Sequence, residues 1–129
     1  VGGQTGSHLY VSRSRARKRK LANEHELECQ MVSRGFQIVH AELLSLPEQI
    51  RLFSTAEVIV APHGAGLSNL IWAVPGCRIL EIFPFDMFNP CFAQTSVSLG
   101  MEHDFVSCEK DDFSWGSIPI EIVLRKLDA

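Results

Sequence analysis

Short apolar runs alternate with stretches in which apolar positions recur every three or four residues, and the alternation continues along the whole chain. The runs predict strands: His8–Arg13, Phe36–Ala41, Glu57–Pro62, Arg78–Phe83 and one near Asp104–Cys108. The third contains Val58-Ile59-Val60-Ala61, apolar on both faces, as expected of a central parallel strand covered by helices. Between them fall helical patterns. Asn23 opens a helix to about Arg34, with Glu26 completing a capping box, Leu27 and Met31 as its apolar stripe and Gly35 as its stop. Ser45-Leu46-Pro47-Glu48 repeats the capping pattern ahead of a short helix to Ala56, with Ile50 and Phe53 facing inward. A short helix over Leu67–Val74 ends at Pro75-Gly76, a further helix lies within Pro90–Leu99, and a last one runs from about Ser117 to Leu127.

Strands and helices alternating at this spacing imply right-handed crossovers and a mostly parallel sheet, that is, a Rossmann-like three-layer α/β domain. Ligands in such sheets bind beyond the carboxyl ends of the strands. The loops after Arg13, Ala41, Pro62 and Phe83 are therefore where chemistry is expected.

At 129 residues the chain has the length of one domain, and 46% hydrophobic with 21% charged residues fits a globular fold. Residues 1–7 read as a linker or truncated start and residues 8–129 as the domain. The net charge of −3 argues against a nucleic-acid binder, yet six of the twelve basic residues fall between Arg13 and Lys20, which points to a local anion site. No stretch approaches a membrane-spanning run. The cysteines, Cys29, Cys77, Cys91 and Cys108, lack metal-ligand spacing and read as reduced thiols, which gives a cytoplasmic expectation.

Three of the four loops carry unusual residues. After the third strand, Pro62-His63-Gly64-Ala65-Gly66-Leu67 joins a buried strand to a helix start, with Asn69 close behind. Glycines permit a tight turn and close ligand approach, and a helix start offers free N–H groups to a phosphate. A packing turn would use the same glycines; His63 ahead of them adds a candidate catalytic donor. After the first strand come Arg13, Arg15 and Arg17, whose guanidinium forks match phosphate oxygens. A solvated charge run is the other reading, and Lys18-Arg19-Lys20 fits it. The candidate carboxylates are Glu42, where Rossmann-type domains place an acid on a ribose hydroxyl, Glu81 inside Ile79-Leu80-Glu81-Ile82, and Glu24 near the basic loop. Glu81 would need a partner if buried; it could bond a ligand, hold an arginine or face outward from an edge. The other histidines, His8, His25, His40 and His103, read as ordinary surface or core residues.

Absent signatures narrow the classes. The first strand is not followed by G-x-G-x-x-G, and neither G-x-x-x-x-G-K-[ST] nor G-x-S-x-G occurs. Nicotinamide dehydrogenase, P-loop NTPase and α/β-hydrolase readings are disfavoured accordingly. Asp111-Asp112 are adjacent rather than spaced to hold a metal–diphosphate.

Over Ser12–Phe83 the chain resembles the C-terminal part of the family-61 glycosyltransferases. The resemblance rests on Ser12-Arg13, Asn23-Glu24, Gly35-Phe36, Glu42-Leu43-Leu44-Ser45 and Glu48-Gln49-Ile50 leading into Leu52-Phe53. Its most specific elements are Ala61-Pro62-His63-Gly64-Ala65-Gly66-Leu67 with Asn69, then Pro75-Gly76 before Leu80-Glu81-Ile82. None of the motifs that carry the resemblance lies in the last third, from Met87. The resemblance implies the nucleotide-sugar-binding half of a GT-B enzyme that inverts the anomeric centre without a cofactor or bound metal. It implies diphosphate contacts from Arg13 and Arg17, with His63 and Gly64, Ala65, Gly66 and Leu67 beside the sugar and phosphates. Glu42 and Glu81 would position the nucleoside or the arginines, and the donor is expected to be a UDP-sugar.

The resemblance implies a further domain preceding this one, expected to lie outside these 129 residues. A glycan or protein acceptor would be bound through it, so this chain alone is expected to bind donor weakly and transfer little or nothing. Its uncovered inter-domain face could drive self-association. A stand-alone nucleotide- or anion-binding module without catalysis is the second reading, and a purely structural domain the third.

Overall fold

The structure, a computed structural model, describes residues 7–15 and 20–129. Its centre is a five-stranded sheet of β1 (Ser7–Val11), β2 (Gln37–Val39), β3 (Ala56–Pro62), β4 (Arg78–Phe83) and β5 (Glu102–Ser107). The order is β2-β1-β3-β4-β5 and every pairing is parallel, as the alternating pattern requires. β1 begins at Ser7, one residue inside the stretch read as linker, and Ser7 Oγ donates to Thr55 O at 3.0 Å.

The helices are α1 (Glu24–Ser33), α2 (Leu46–Ser54), α3 (Cys91–Ser98) and α4 (Ile120–Asp128), with a 3₁₀ helix over Ala65–Trp72 between β3 and β4. The period-two alternation of the strands divides the core between the two faces. Leu9, Val11, Ile59, Ala61 and Ile79 pack with Phe53 of α2 and with Leu67 and Leu70 of the 3₁₀ helix. Tyr10, Val58, Val60, Leu80 and Ile82 pack with Leu27 and Met31 of α1 and Val123 of α4. Burial of these side chains, about 1.5–3 kcal/mol each relative to exposure, drives the layering.

Local chemistry sets the boundaries. At α2 the predicted capping box forms: Glu48 N donates to Ser45 Oγ at 3.3 Å and Ser45 N to Glu48 Oε1 at 2.9 Å. At α1 it does not. Asn23 occupies the cap position but spends its amide on the chain ahead of α4: Nδ2 donates to Ile118 O at 2.9 Å and Oδ1 accepts from Ile118 N at 2.7 Å. A tertiary tie thus displaces the local cap. Gly35, at φ +86°, turns the chain out of α1 into β2. At the far end, the Arg78 guanidinium donates to the carbonyls of Lys126 (3.0 Å) and Leu127 (3.4 Å), closing the last turn of α4.

The strand order places the site. From β1 the chain steps outward to β2 and then reverses, crossing to β3 on the other side of β1. The two connections leave a crevice between the C-terminal ends of β1 and β3, where doubly wound sheets bind their ligands.

Candidate functional site

That crevice is a cleft of about 250 Å³ whose walls include Ser12, Arg13, Glu42, Gln49, Ser68 and Asn69, with Gly64 and Gly66 at its floor. A slightly larger hollow, about 280 Å³, lies by Arg78, Glu102 and Lys126 at the opposite end of β4 and β5. The guanidinium there is committed to α4, and the cleft at the strand ends is the better candidate.

The two glycines of the turn have different tasks. At Gly66 a Cβ would stand 2.9 Å from Cγ1 of Val11, so the missing side chain lets the 3₁₀ helix lie against β1. At Gly64 a Cβ would collide with Nη1 of Arg13. The guanidinium therefore lies directly on the backbone of the turn, bringing the end of β1 to the end of β3. Among the described residues the N–H groups of Gly64 and Gly66 donate to no protein acceptor, while Leu67 N donates to Gly64 O at 3.0 Å.

Arg13 is held from two further sides. Its guanidinium carbon lies 5.6 Å from the centre of the Trp115 ring, within cation–π range. Its backbone N–H donates to Glu24 Oε2 at 2.8 Å. Glu24 is buried and accepts from Tyr10 Oη on the same oxygen, also at 2.8 Å. Burial raises the Glu24 pKa, against the lowering effect of those hydrogen bonds, and also pushes the Tyr10 hydroxyl well above its usual value. Glu24 thus anchors the strand end that carries Arg13 rather than lining the cleft. Next to it, Ser12 Oγ donates to Glu28 Oε2 and meets Ser14 Oγ at 2.8 Å.

The other expected residues fall into three groups. Glu42 lies at the exposed rim, in a 3₁₀ turn over Ala41–Leu43 just past β2. Asn69 is buried at the cleft wall, where Nδ2 donates to Gln49 Oε1 at 2.8 Å and to Gly66 O at 3.2 Å. Leu67 departs from the expected ligand contact: its side chain is buried in the core and serves packing. Glu81 is also different. It is fully buried and holds neither an arginine nor a place on the cleft wall, because both oxygens are occupied by histidines. His63 Nδ1 lies 2.5 Å from Oε2 and His103 Nε2 2.9 Å from Oε1. The His63 ring stacks on Phe83 and tilts against Phe92, 5.3 Å from each, next to the cleft rather than on its wall. Arg17 lies outside the described residues, as do residues 16–19 of the basic loop generally.

His103 is no ordinary core histidine, and sequence reading passed over it together with Ser96 and Trp115. His103 and Ser96 become neighbours of Glu81 only through the pairing of β4 with β5 and the packing of α3. Trp115 sits in an irregular strap whose backbone N–H donates to Lys20 O at 2.9 Å, and its one available signal was an aromatic in a polar loop. Among the described residues no group of three or more His, Cys, Asp or Glu is placed to hold a metal ion, and no helix is long and apolar enough to cross a membrane.

Comparison with known proteins adds a family context. A family model described as Glycosyltransferase 61 matches residues 4–80. The chain is similar to the Beta-1,2-xylosyltransferase of Arabidopsis thaliana, 32% identical over 71 residues that make up 54% of this chain and 13% of that protein. It is also similar to the Protein O-linked-mannose beta-1,4-N-acetylglucosaminyltransferase 2 of Tetraodon nigroviridis, 29% identical over 115 residues, 82% of this chain and 19% of that protein. The Bos taurus protein of the same name is 31% identical over 94 residues, 70% of this chain and 16% of its own length. The chain spans less than a fifth of the length of each of these relatives. The family match runs from before β1 into β4 and so takes in the whole cleft.

Proposed function

The chain belongs to the glycosyltransferase 61 family, and on that footing we propose that it is the donor-binding domain of an inverting, metal-independent glycosyltransferase of the GT-B type. The cleft between β1 and β3 receives the diphosphate of a nucleotide sugar. Arg13 and the N–H groups of Gly64 and Gly66 supply the positive charge that a leaving diphosphate needs. The observation that carries this reading is the contact of the Arg13 guanidinium with Gly64 at the sheet's switch point. A guanidinium already laid beside free N–H groups is preorganised for a two-pronged contact with phosphate oxygens.

A cleft of about 250 Å³ is close to the lower end of small-molecule sites, roughly 300 Å³. It suits the diphosphate with part of one adjoining ring, and the rest of the donor extends past its rim. Glu42 at that rim is suited to accept from a ribose hydroxyl. His63, on the β4 side of the same turn, acts at the sugar end. The acceptor, a glycan or protein, and the base that deprotonates it belong to a part of the enzyme outside this chain, so the chain alone binds donor and transfers little or no sugar. The donor in this reading is a UDP-sugar.

Thermal unfolding with UDP, GDP, CMP, NAD and their sugar conjugates, with and without divalent metal, tests the reading. A ligand at a hundred times its Kd adds about 2.7 kcal/mol of stability. UDP and UDP-sugars are expected to raise the midpoint without metal, and Arg13→Ala to abolish the rise. A rise that requires metal, or that survives Arg13→Ala, would overturn it. A rise with every anion, inorganic phosphate included, would favour a general anion-binding module instead.

A further inference from the structure

A second polar arrangement runs through the core on the face that α3 and the 3₁₀ helix cover. Its centre is Glu81, fully buried in the middle of an apolar strand, with one histidine on each oxygen. His103, itself buried, continues the chain: its Nδ1 lies 2.6 Å from Ser96 Oγ on α3. A buried carboxylate is tolerated when its lone pairs are filled and its charge is compensated. Four separate pieces of chain, the loop after β3, β4, β5 and α3, converge to do this.

The direction of each bond follows from what the groups can donate. An ionised carboxylate only accepts, so His63 must present Nδ1–H and His103 must present Nε2–H. A neutral His103 then holds its lone pair on Nδ1, where the Ser96 hydroxyl donates. The other acceptor near that hydroxyl, Ala93 O, is more distant at 3.2 Å. His63 with its proton on Nδ1 carries its lone pair on Nε2, which bonds to no described residue. Phe83 and Phe92 fix the plane of the ring, and Glu81 decides which nitrogen faces outward.

We propose that Ser96 and His103 are positioning residues: acting through Glu81, they hold His63 as its Nδ1–H tautomer and so present Nε2 as a hydrogen-bond acceptor for a substrate hydroxyl. The role of the hydroxyl rests on the donor-site reading; the tautomer does not. A second layer that fixes imidazole orientation in this way is the usual partner of a working histidine.

Imidazole ¹⁵N resonances of the intact chain, recorded in mildly alkaline buffer so that neutral rings are observed, test the assignment. In the wild type, His63 Nδ1 is expected to resonate as a protonated nitrogen and Nε2 as an unprotonated one. His103→Phe strips Glu81 Oε1 of its partner, and the two His63 resonances are expected to depart from their wild-type pattern. His103→Gln, whose amide can donate to the same oxygen, keeps the wild-type pattern. Ser96→Ala removes the partner of His103 Nδ1, leaves that ring free to turn away from Glu81, and moves His63 in the same direction as His103→Phe. It decides the matter alone if His103→Phe does not fold. A wild-type His63 already protonated on Nε2 would overturn the proposal, as would a His63 unmoved by either substitution. UDP binding through Arg13 is expected to survive His103→Phe. A wild type that binds no UDP would remove the donor reading while leaving the tautomer result to stand.

Discussion

Two glycines a residue apart should respond to the same substitution in opposite ways. At Gly66 an added Cβ meets Cγ1 of Val11 at 2.9 Å, and Val11 is a buried core residue of β1 with little freedom to withdraw. Overpacking of this kind costs about 1–3 kcal/mol, against a helix-propensity gain of at most about 1 kcal/mol for replacing glycine by alanine. Gly66→Ala is therefore expected to destabilise by about 1–2 kcal/mol, a fall of roughly 4–7 °C in Tm at this chain length. Gly64 has an extended backbone, φ 162° and ψ −176°, which alanine adopts freely. The atom in the way is the far end of the Arg13 side chain, which can swing aside. Gly64→Ala is thus expected to leave stability within about 1 kcal/mol of wild type, helped by the smaller entropy of its unfolded chain. It moves the guanidinium off the turn, however. Loss of one charge-assisted contact to phosphate, about 1.5–3 kcal/mol, weakens UDP binding by roughly ten- to a hundredfold. Urea denaturation and isothermal calorimetry with UDP on both variants measure the two quantities separately. Equal destabilisation by both substitutions, or full UDP affinity in Gly64→Ala, would refute the division of labour between the glycines.

Other expectations follow from the same structure. Burial raises the folded-state pKa of Glu24 above its ordinary 4.5, so the folded state holds that proton more tightly than the unfolded chain does. Its contribution is most favourable below the ordinary value and is lost as pH rises through the raised one; Glu24→Gln should flatten that fall in urea midpoints measured across the window. Buried Cys77 and Cys108 have thiol pKa values pushed up to about 11 and about 12, chiefly by desolvation, whereas Cys29 and Cys91 are exposed. Two thiols should therefore react promptly with a chromogenic disulfide at mildly alkaline pH and four after denaturation; prompt reaction of all four would contradict the buried assignment. Ser45→Ala removes the working capping box of α2 and should cost about 1 kcal/mol, while Asn23→Ser, which keeps a capping side chain at α1 but cannot make both bonds to Ile118, should also destabilise. A neutral Asn23→Ser in thermal unfolding would mean that the tie to Ile118 carries little.

Much of the fold was legible because strand periodicity and helix punctuation act locally. β4 has its predicted bounds, α2 has its predicted cap, and Val58–Ala61 is the buried centre of a parallel sheet, all from residues that act on their immediate neighbours. The sequence also pointed to residues of the cleft: Gly64 in the turn after β3 and Arg13 at the end of β1 both line it. What was not legible depends on pairing across the chain. Asn23 carries a capping signature, yet its amide is taken by Ile118, 95 residues away. Glu81 invited a ligand or an arginine, and only the register of β4 against β5 brings His103 to it, two positions before its direct partner Phe105. Leu67 stands in the most specific block of the sequence, yet the turn of the 3₁₀ helix sends its side chain into the core.

Backbone amide mapping with UDP in metal-free buffer tests the central claim most directly. If the diphosphate sits in the cleft between β1 and β3, the largest ¹⁵N–¹H shifts will fall on Arg13, Gly64 and Gly66, with a smaller set at Glu42, and Arg13→Ala will suppress them together. Shifts confined to the hollow beside Arg78 and Lys126, or an unchanged spectrum at saturating UDP, would contradict the placement of a donor site in this cleft.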